Sequence, residues 1–423
     1  MNIATPTLSA ILGLLLYAST VFSQSIPICQ AEEVGMSADR LERIHQHFQQ
    51  MIDDNKIAGM QTLVARRGKI AHFQSSGYAD IETQKALDEG SIFRIYSMTK
   101  PIASVGLMML YEEGKFQLND PVSKFIPSFK RMKAVVRDDK SHDTEAVKKG
   151  MTITDLLRHT SGLGYGWGPG NYVDSLYAAS ASRGGDRNLE QFADAVAELP
   201  LYFQPGKHWR YGISTDIVGR LIEVMSGMTL DAYFKERIFK PLKMEDTFFQ
   251  VPEDKVDRYT THYRPKRGGG IEVADHPSTS AATRKVSFFS GGGGLQSTSY
   301  DYFRFCQMLL NGGELDGVRL LSPKTIELMT VAHTDGITYG GGPLHYPSKS
   351  KGFGLGFSVS TDLAANQNLG SEGAYGWGGA AGTYFIIDPK EELILIQMIQ
   401  LRPYTHLNHR AQFHTLVYQA IVE

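Results

Sequence analysis

The sequence predicts an α+β protein in which an antiparallel sheet, flanked by helices, is built from both chain ends and a mainly helical domain is inserted between them. Strand patterns occur near the N-terminus, helical patterns fill the middle of the chain, and strands return in the last third. Short turns between neighbouring strands favour antiparallel pairing. The 423 residues, 42% hydrophobic and 21% charged, have a globular composition and can bury a substantial core.

The N-terminal elements are a helix and a hairpin. Residues 37–54 predict a helix because Ser37 is a good N-cap and the apolar residues that follow it fall on one stripe. Residues 60–80 predict a β-hairpin that turns at Arg67 and Gly68. The apolar stripe of the helix comprises Leu41, Ile44 and Phe48.

Helices dominate the middle of the chain and strands its end. The predicted middle helices cover residues 151–159, 189–199, 215–225 and 230–239. A helix over 300–310, strands over 356–360, 383–388 and 393–400, and a final helix over 406–421 follow. The predicted divisions are an export signal (1–23), the first part of an α/β domain (30–96), a mainly helical domain (97–285) and the second part of the α/β domain (286–423).

The composition and the motifs that are missing exclude several classes of function. The formal net charge is −2 and no long run of one sign occurs, so a nucleic-acid partner is not expected. The sequence contains no HExxH, P-loop or GxSxG motif, and we expect no metal and no cofactor. Cys29 and Cys306 are too few for a zinc site or a disulfide scaffold, and they form either one bridge or two unrelated thiols.

The N-terminal segment has the features of an export signal. Residues 8–22 are mostly apolar, and Val21 and Ser23 are small residues at the two positions that a signal peptidase inspects. The segment carries no Lys or Arg before its apolar part, which leaves a membrane anchor as the alternative. Because it is shorter than the roughly 20 residues that span a bilayer, we expect export to the periplasm or beyond and no stable span in the mature chain.

The most informative stretch is Ser97-Met98-Thr99-Lys100. On a helix, residues three apart share a face, so a lysine held against a serine in a poorly hydrated pocket can activate the hydroxyl as a nucleophile. Pro101 is tolerated only in the first turn, so the helix begins near Ser97. The Ser97 amide then lacks an intrahelical partner and can face an oxyanion.

The same spacing recurs at Ser348 and Lys351. This second copy lies in GGPLHYPSKSKG (residues 341–352), a Gly-, Pro- and Ser-rich stretch that is typical of a solvated loop. The first copy is instead followed by a helix that is apolar on nearly every side, as in a buried helix. We therefore take the second copy as an accidental surface match.

Three motifs together resemble those of class C β-lactamases and related penicillin-binding proteins. They are SMTK at 97–100, WRYGIS at 209–214, which contains Tyr211, and GWGG at 376–379. Supporting stretches are LLRHTSGL (156–163), GGGGLQSTSYDYFRF (291–305) and WGGAAGTYFIIDP (377–389). The resemblance covers roughly residues 38–420 and implies a β-lactamase-like fold with serine-hydrolase chemistry.

The resemblance implies roles for the catalytic residues. Ser97 is the nucleophile and Lys100 the amine that helps to deprotonate it. Tyr211, as a phenolate or through a proton relay with Lys100, is the preferred general base, although the sequence leaves the choice between the two open. A Ser-His triad is disfavoured because neither His159 nor His208 has an obvious carboxylate to orient it.

The resemblance also implies an oxyanion hole and a substrate surface. The backbone N–H groups of Ser97 and Ala380 form the oxyanion hole by family analogy. Gly378 and Gly379 allow a substrate to lie close to the backbone.

Two departures from the β-lactamase motifs indicate which branch of the family this is. Ile213 and Trp377 stand where the β-lactamases and peptidases place an asparagine and a lysine. Neither side chain can hydrogen-bond a substrate amide as asparagine does or attract a substrate carboxylate as lysine does. We therefore expect both residues to line a substrate site that prefers neutral, largely apolar acyl esters. Trp377 followed by two glycines instead resembles the family VIII carboxylesterases. Arg210 is a candidate for a cation that reaches a substrate carboxylate from a loop.

The predicted function is a serine hydrolase that cleaves a small-molecule ester, or an amide, through an acyl-serine. A β-lactamase, a D-amino-acid peptidase and an acyltransferase are alternatives with the same acyl-enzyme. A non-catalytic penicillin-binding-like protein is the alternative from another class, and the intact Ser97, Lys100 and Tyr211 argue against it.

The export signal makes a direct prediction about the mature chain. Cleavage after Ser23 gives a mature protein that begins at Gln24. N-terminal sequencing of the protein isolated from its native cell checks this, and a chain that still begins at Met1 would reject it.

Overall fold

The computed structural model describes residues 28–136, 142–167, 172–180, 185–341, 344 and 346–423, so the predicted export signal lies outside the described residues. Its helices are α1 (Ala38–Asp53), α2 (Thr99–Glu112), α3 (Ile153–Leu157), α4 (Tyr172–Ser180), α5 (Leu189–Ala197), α6 (Ser214–Ser226), α7 (Leu230–Phe234), α8 (Ser299–Leu310), α9 (Pro323–Thr330), α10 (Leu363–Asn366) and α11 (His409–Tyr418). None of these helices has the length and apolar character needed to cross a membrane.

One large sheet joins the two ends of the chain. Its strands are β1 (Gly59–Arg66), β2 (Lys69–Asp80), β3 (Lys85–Ala86), β4 (Lys351–Phe353), β5 (Ser358–Ser360), β6 (Tyr375–Gly378), β7 (Tyr384–Asp388) and β8 (Leu393–Met398). They lie in the order β4-β5-β6-β7-β8-β1-β2-β3, and every neighbouring pair is antiparallel. Since β1 pairs with β8 from Gln61 opposite Met398 to Arg66 opposite Leu393, the prediction of a sheet built from both ends is confirmed.

The sheet is covered by helices on both faces. Along β8, Leu393 and Leu395 pack into one apolar cluster with α1 and α11, whereas Ile394 and Ile396 pack into the larger cluster that contains α2 and α8. Alternation of this kind follows from the two-residue period of a strand whose two faces are both buried. The larger cluster extends into the helices between residues 97 and 285 and joins the sheet to them.

Most of the predicted elements are present, with local differences. The hairpin turns at Arg67 and Gly68, as the sequence predicts. Residues 230–239 begin as α7 and continue as a single π-helical turn over Lys235–Phe239, and α4 was not predicted. Cys29 and Cys306 are both free thiols, so of the two cysteine alternatives the structure has the unpaired one.

The interpretation of residues 341–352 as a solvated loop is wrong at its end. Ser348 is exposed, but Lys351 begins β4, the edge strand of the main sheet, and is partly buried. No strand pattern is visible here because the strand is only three residues long and includes Gly352. The second SxxK spacing is therefore not wholly a surface feature.

Arg66 ties the sheet to the segments that flank it. Its guanidinium is buried and donates to the carbonyls of Val34 and Gly35, each at 3.0 Å, and to the carbonyl and carboxylate of Glu391, each at 3.1 Å. Removal of a buried donor leaves its acceptors unsatisfied, which costs more than an exposed ion pair contributes.

We predict that Arg66→Met lowers the free energy of unfolding by more than about 2 kcal/mol. Lys69→Met is the matched control, because it removes only the exposed ion pair with Glu33 and should leave the denaturation midpoint nearly unchanged. Urea titrations of both variants measure the difference. Equal midpoints for the two variants would show that Arg66 does not stabilise the joined chain ends.

Candidate active site

Ser97 lies on a short 3₁₀ turn, Tyr96–Met98, that leads directly into α2. The Met98 amide is the first to donate backwards, to the Ile95 carbonyl at 3.0 Å, so the Ser97 amide precedes the first intrahelical hydrogen bond. Ser97 lines a cavity of about 610 Å³. The sequence prediction that the helix begins near Ser97 is confirmed, and its amide N–H is left without a helical partner.

Lys100 is the buried cation of the site. Only 1% of its surface is exposed, and its Nζ donates to Ser97 Oγ at 3.3 Å, to the Tyr165 hydroxyl at 2.8 Å and to the Gly292 carbonyl at 2.5 Å. The Gly292 carbonyl can only accept, so Lys100 donates an N–H to it, while the two hydroxyls can accept from Nζ or donate to it. These three contacts hold Nζ beside the Ser97 hydroxyl.

A buried carboxylate lies behind this lysine. Asp216, in α6, accepts hydrogen bonds from Ser290 Oγ at 2.5 Å and from the Gly292 amide at 3.0 Å. Burial raises the pKa of Asp216, while the charge of Lys100 and these hydrogen bonds oppose the rise. Asp216 thus holds Gly292 so that the carbonyl of the same residue accepts from Lys100.

Two tyrosines face Lys100 from different directions. The Tyr211 ring centroid lies 4.8 Å from Nζ, and the Tyr211 hydroxyl accepts a long hydrogen bond of 3.4 Å from Trp377 Nε1. The rings of Tyr165 and Tyr211 are 5.4 Å apart. Burial, together with Tyr211 and Asp216, raises the pKa of Tyr165 well above 10, so Tyr165 remains a neutral phenol at neutral pH.

The end of β6 completes the cavity wall beside Ser97. Trp377, Gly378, Gly379 and Ala380 all line the cavity, as the sequence predicts for a substrate surface and an oxyanion hole. A Cβ on Gly379 would collide with the Ile95 carbonyl, so only glycine lets this strand end lie against the turn that carries Ser97. The roles of these residues in binding and in the oxyanion hole stay predictions.

Ile213 lies outside this wall. It is 1% exposed, it caps α6, and it packs in the main apolar cluster rather than among the described residues that line the cavity. Its predicted contact with substrate is not visible in the structure and stays a prediction.

The structure places His159 and His208, the two histidines considered for a Ser-His triad, in different surroundings. His159 is buried with its ring 5.0 Å from that of Tyr211, and burial, followed by the charge of Lys100, lowers the pKa of His159 well below 6.5. His208 instead contacts Thr338 Oγ1 at 2.7 Å. In the described part of the chain, neither histidine is hydrogen-bonded to Ser97, which agrees with the disfavoured Ser-His triad.

Arg210 is neutralised by a carboxylate. It forms an ion pair of 3.0 Å with Asp174, and its guanidinium stacks 3.6 Å from the ring centroid of Tyr202. It is not among the described residues that line the cavity. A substrate carboxylate bound in the cavity would therefore need a different cation as its partner.

Comparisons with known proteins show which family the chain is similar to. A family model described as Beta-lactamase matches residues 44–418. Protein Rv1367c of Mycobacterium tuberculosis (strain ATCC 25618 / H37Rv) is 34% identical over 371 residues, which cover 84% of this chain and 89% of that protein. Esterase EstB of Burkholderia gladioli is 28% identical over 382 residues, with 86% and 90% covered. The structure of EstCE1, described as a hydrolase with promiscuous acyltransferase activity, matches with a TM-score of 0.74 at 25% identity and covers 90% of this chain and 98% of that one.

The different surroundings of the two tyrosines predict different effects of removing each hydroxyl. Tyr211→Phe should lower kcat for p-nitrophenyl butyrate by at least about 10²-fold with little change in KM, because a general base acts in the transition state. Tyr165→Phe removes one of the three hydrogen-bond partners of Lys100 Nζ and should lower kcat by less than about 10-fold. Steady-state kinetics on both variants measure this. A larger loss from Tyr165→Phe would transfer the base role to Tyr165.

Proposed function

The chain belongs to the beta-lactamase family and is a serine hydrolase, and we propose that it acts as a carboxylesterase. The observation that carries the proposal is Trp377. Its indole stands on β6 where the resembled β-lactamases place a lysine, and its N–H is directed to the Tyr211 hydroxyl. The relative EstB, which is named an esterase, supports the same choice.

Acylation uses the groups around Ser97. The Ser97 oxygen attacks the carbonyl carbon of the ester while its proton passes to Tyr211, which accepts it as a phenolate or, as a neutral phenol, passes its own proton on to Lys100. The negative charge that develops on the carbonyl oxygen is stabilised by the backbone N–H groups of Ser97 and Ala380. As the carbon–oxygen bond to the alcohol breaks, Tyr211 returns the proton to the leaving oxygen, and an acyl-serine and a free alcohol result.

Lys100 assists these proton transfers from beside both groups. Its Nζ lies 4.8 Å from the centroid of the Tyr211 ring and contacts Ser97 Oγ at 3.3 Å, which orients the nucleophile. These contacts support Tyr211 as the base, with Lys100 as the partner that receives a relayed proton or stabilises the negative charge on Tyr211.

Deacylation repeats the sequence with water. Water attacks the acyl-serine carbonyl, its proton passes to Tyr211 and then to the Ser97 oxygen, and the carboxylic acid leaves. The cavity of about 610 Å³ beside Ser97 also has room for an alcohol in place of this water. Transfer of the acyl group to an added alcohol is therefore a second candidate activity of the same acyl-enzyme.

The test compares two serines with the same local spacing. Ser97→Ala should reduce kcat/KM for p-nitrophenyl butyrate by at least about 10⁴-fold, because it removes the nucleophile. Ser348→Ala is the matched control and should retain nearly full activity, because Ser348 is exposed and lies outside the cavity lining.

Two outcomes would contradict the proposal. Comparable losses from Ser97→Ala and Ser348→Ala would reject the assignment of the nucleophile. Turnover of nitrocefin as efficient as that of p-nitrophenyl butyrate on the same preparation would make the protein a β-lactamase instead, because Trp377 then would not set the substrate class.

A further inference from the structure

The active-site cavity has a second end that the ester chemistry does not use. From Ser97 and β6 it continues past β5 and the start of β4 to the N-terminal part of α11. This end is bounded by Lys351 on β4, by Ser360 on β5 and by Arg410 on α11. Any substrate longer than the reacting ester group would extend towards these residues.

The described side chains that line the cavity carry positive charges and no negative ones. Lys351, Arg402 and Arg410 line it, and no aspartate or glutamate is among its described lining residues. The two histidines in the lining add no negative charge to it. Burial lowers the pKa of His409 to about 4, and burial also lowers the pKa of His414, so both are neutral at pH 7.

Arg410 holds the strand end in place and also carries a hydrogen-bond donor, Nε, without a partner among the described residues. Its Nη2 donates to the carbonyls of Gly379 at 2.7 Å and Thr383 at 2.8 Å, which places the guanidinium against the strand end that carries the predicted oxyanion hole. A Cβ on Gly378 would lie 2.7 Å from the guanidinium carbon, so the glycine makes room for Arg410. Its buried Nε has no partner among the described residues.

Lys351 has no partner of opposite charge. Its Nζ makes no hydrogen bond or ion pair with any residue that the structure describes, whereas Lys349, two residues earlier, is exposed and lies 3.8 Å from Asp362. Burial, followed by the charge of Arg410, lowers the pKa of Lys351. The Oγ of Ser360, opposite Lys351 in the β4–β5 register, is also buried without a partner among the described residues.

Groups of this kind are costly to keep in a cavity unless a ligand satisfies them. A cation that is partly removed from water without a counter-ion loses hydration, and a buried donor without an acceptor loses a hydrogen bond. Arg410 has two carbonyl acceptors and lies 4.3 Å from the centroid of the Tyr404 ring, but it has no carboxylate partner among the described residues. Lys351 has no partner at all among them, whereas the buried Arg210 is paired with Asp174. The contrast indicates that a bound ligand supplies the missing anion.

We propose that Lys351, Arg410 and Ser360 form an anion subsite that binds a carboxylate carried by the substrate ester. The proposal rests on the proposed esterase function and names its substrate class: esters with an ionised carboxylate on the part of the molecule that lies away from the scissile bond. It revises the expectation of neutral esters, which was based on Trp377 and Ile213 alone. The carboxylate belongs either to the acyl part or to the alcohol part.

Three esters separate these possibilities. The neutral reference is p-nitrophenyl butyrate, mono-p-nitrophenyl glutarate carries a carboxylate on its acyl part, and 4-(butyryloxy)benzoate carries one on its alcohol part. We measure kcat/KM of each anionic ester relative to that of the neutral ester, at fixed ionic strength. In Lys351→Met this ratio should fall by at least about 10-fold for one of the two anionic esters, the low end of the cost of a lost charge-assisted hydrogen bond.

Matched variants control for the long-range field and for misfolding. Lys349→Met removes the same charge from the neighbouring exposed position and should leave both ratios unchanged. Lys351→Arg keeps the charge and should retain the ratio within about 3-fold of the parent. Cooperative thermal unfolding of each variant shows that it is folded.

The outcomes separate the subsite from the esterase itself. If the parent enzyme hydrolyses the neutral ester but Lys351→Met changes neither ratio by more than about 2-fold, the anion subsite is overturned and the esterase function stands. An equal fall in Lys349→Met would also overturn it, because the effect would then come from net charge. If the parent enzyme hydrolyses none of the three esters, the proposed esterase function is itself contradicted, and with it the subsite that rests on that function.

Discussion

The site depends on one constraint, the burial of a fully hydrogen-bonded Lys100. A buried amine is stable only when its polar atoms have hydrogen-bond partners, and here those partners come from three parts of the chain. Ser97 precedes it on the turn before α2, Tyr165 follows α3, and Gly292 precedes α8. A change in any of these three elements would alter the position of the nucleophile relative to its activating groups.

The carboxylate of Asp216 extends this constraint into the helical part of the molecule. Because Asp216 holds the Gly292 amide, α6 fixes the loop that satisfies Lys100, and α6 also follows the stretch that carries Tyr211. The sheet supplies the other wall, where Gly379 lets β6 approach the Ser97 turn and Arg410 of α11 braces the strand end. The nucleophile thus lies between the sheet formed by the chain ends and the helices inserted between them.

The sequence predicted most of this fold because its signals are local. Ser37 as an N-cap, the turn at Arg67 and Gly68 and the apolar period of α1 are all present in the structure. The order of the three motifs similarly identified Ser97, Lys100 and Tyr211, which the structure brings together.

The residues that the sequence missed act through tertiary contacts. Tyr165 and Asp216 have no spacing that links them to Lys100, and the glycine run at 291–294 was recognised as part of a familial stretch without its contact to Lys100. Lys351 was placed in a loop because its neighbours are typical of loops, although sheet pairing makes it part of an edge strand. Such contacts join segments distant in the chain, so no local pattern records them.

Ser97 should form a covalent acyl-enzyme, and this adduct can be observed directly. The protein is mixed with p-nitrophenyl butyrate, the reaction is stopped in acid within the first turnover, and the digested protein is analysed by mass spectrometry. We expect a butyryl group on the peptide that contains Ser97. An enzyme that hydrolyses the ester while that peptide stays unmodified, or that carries the acyl group on another peptide, would contradict it.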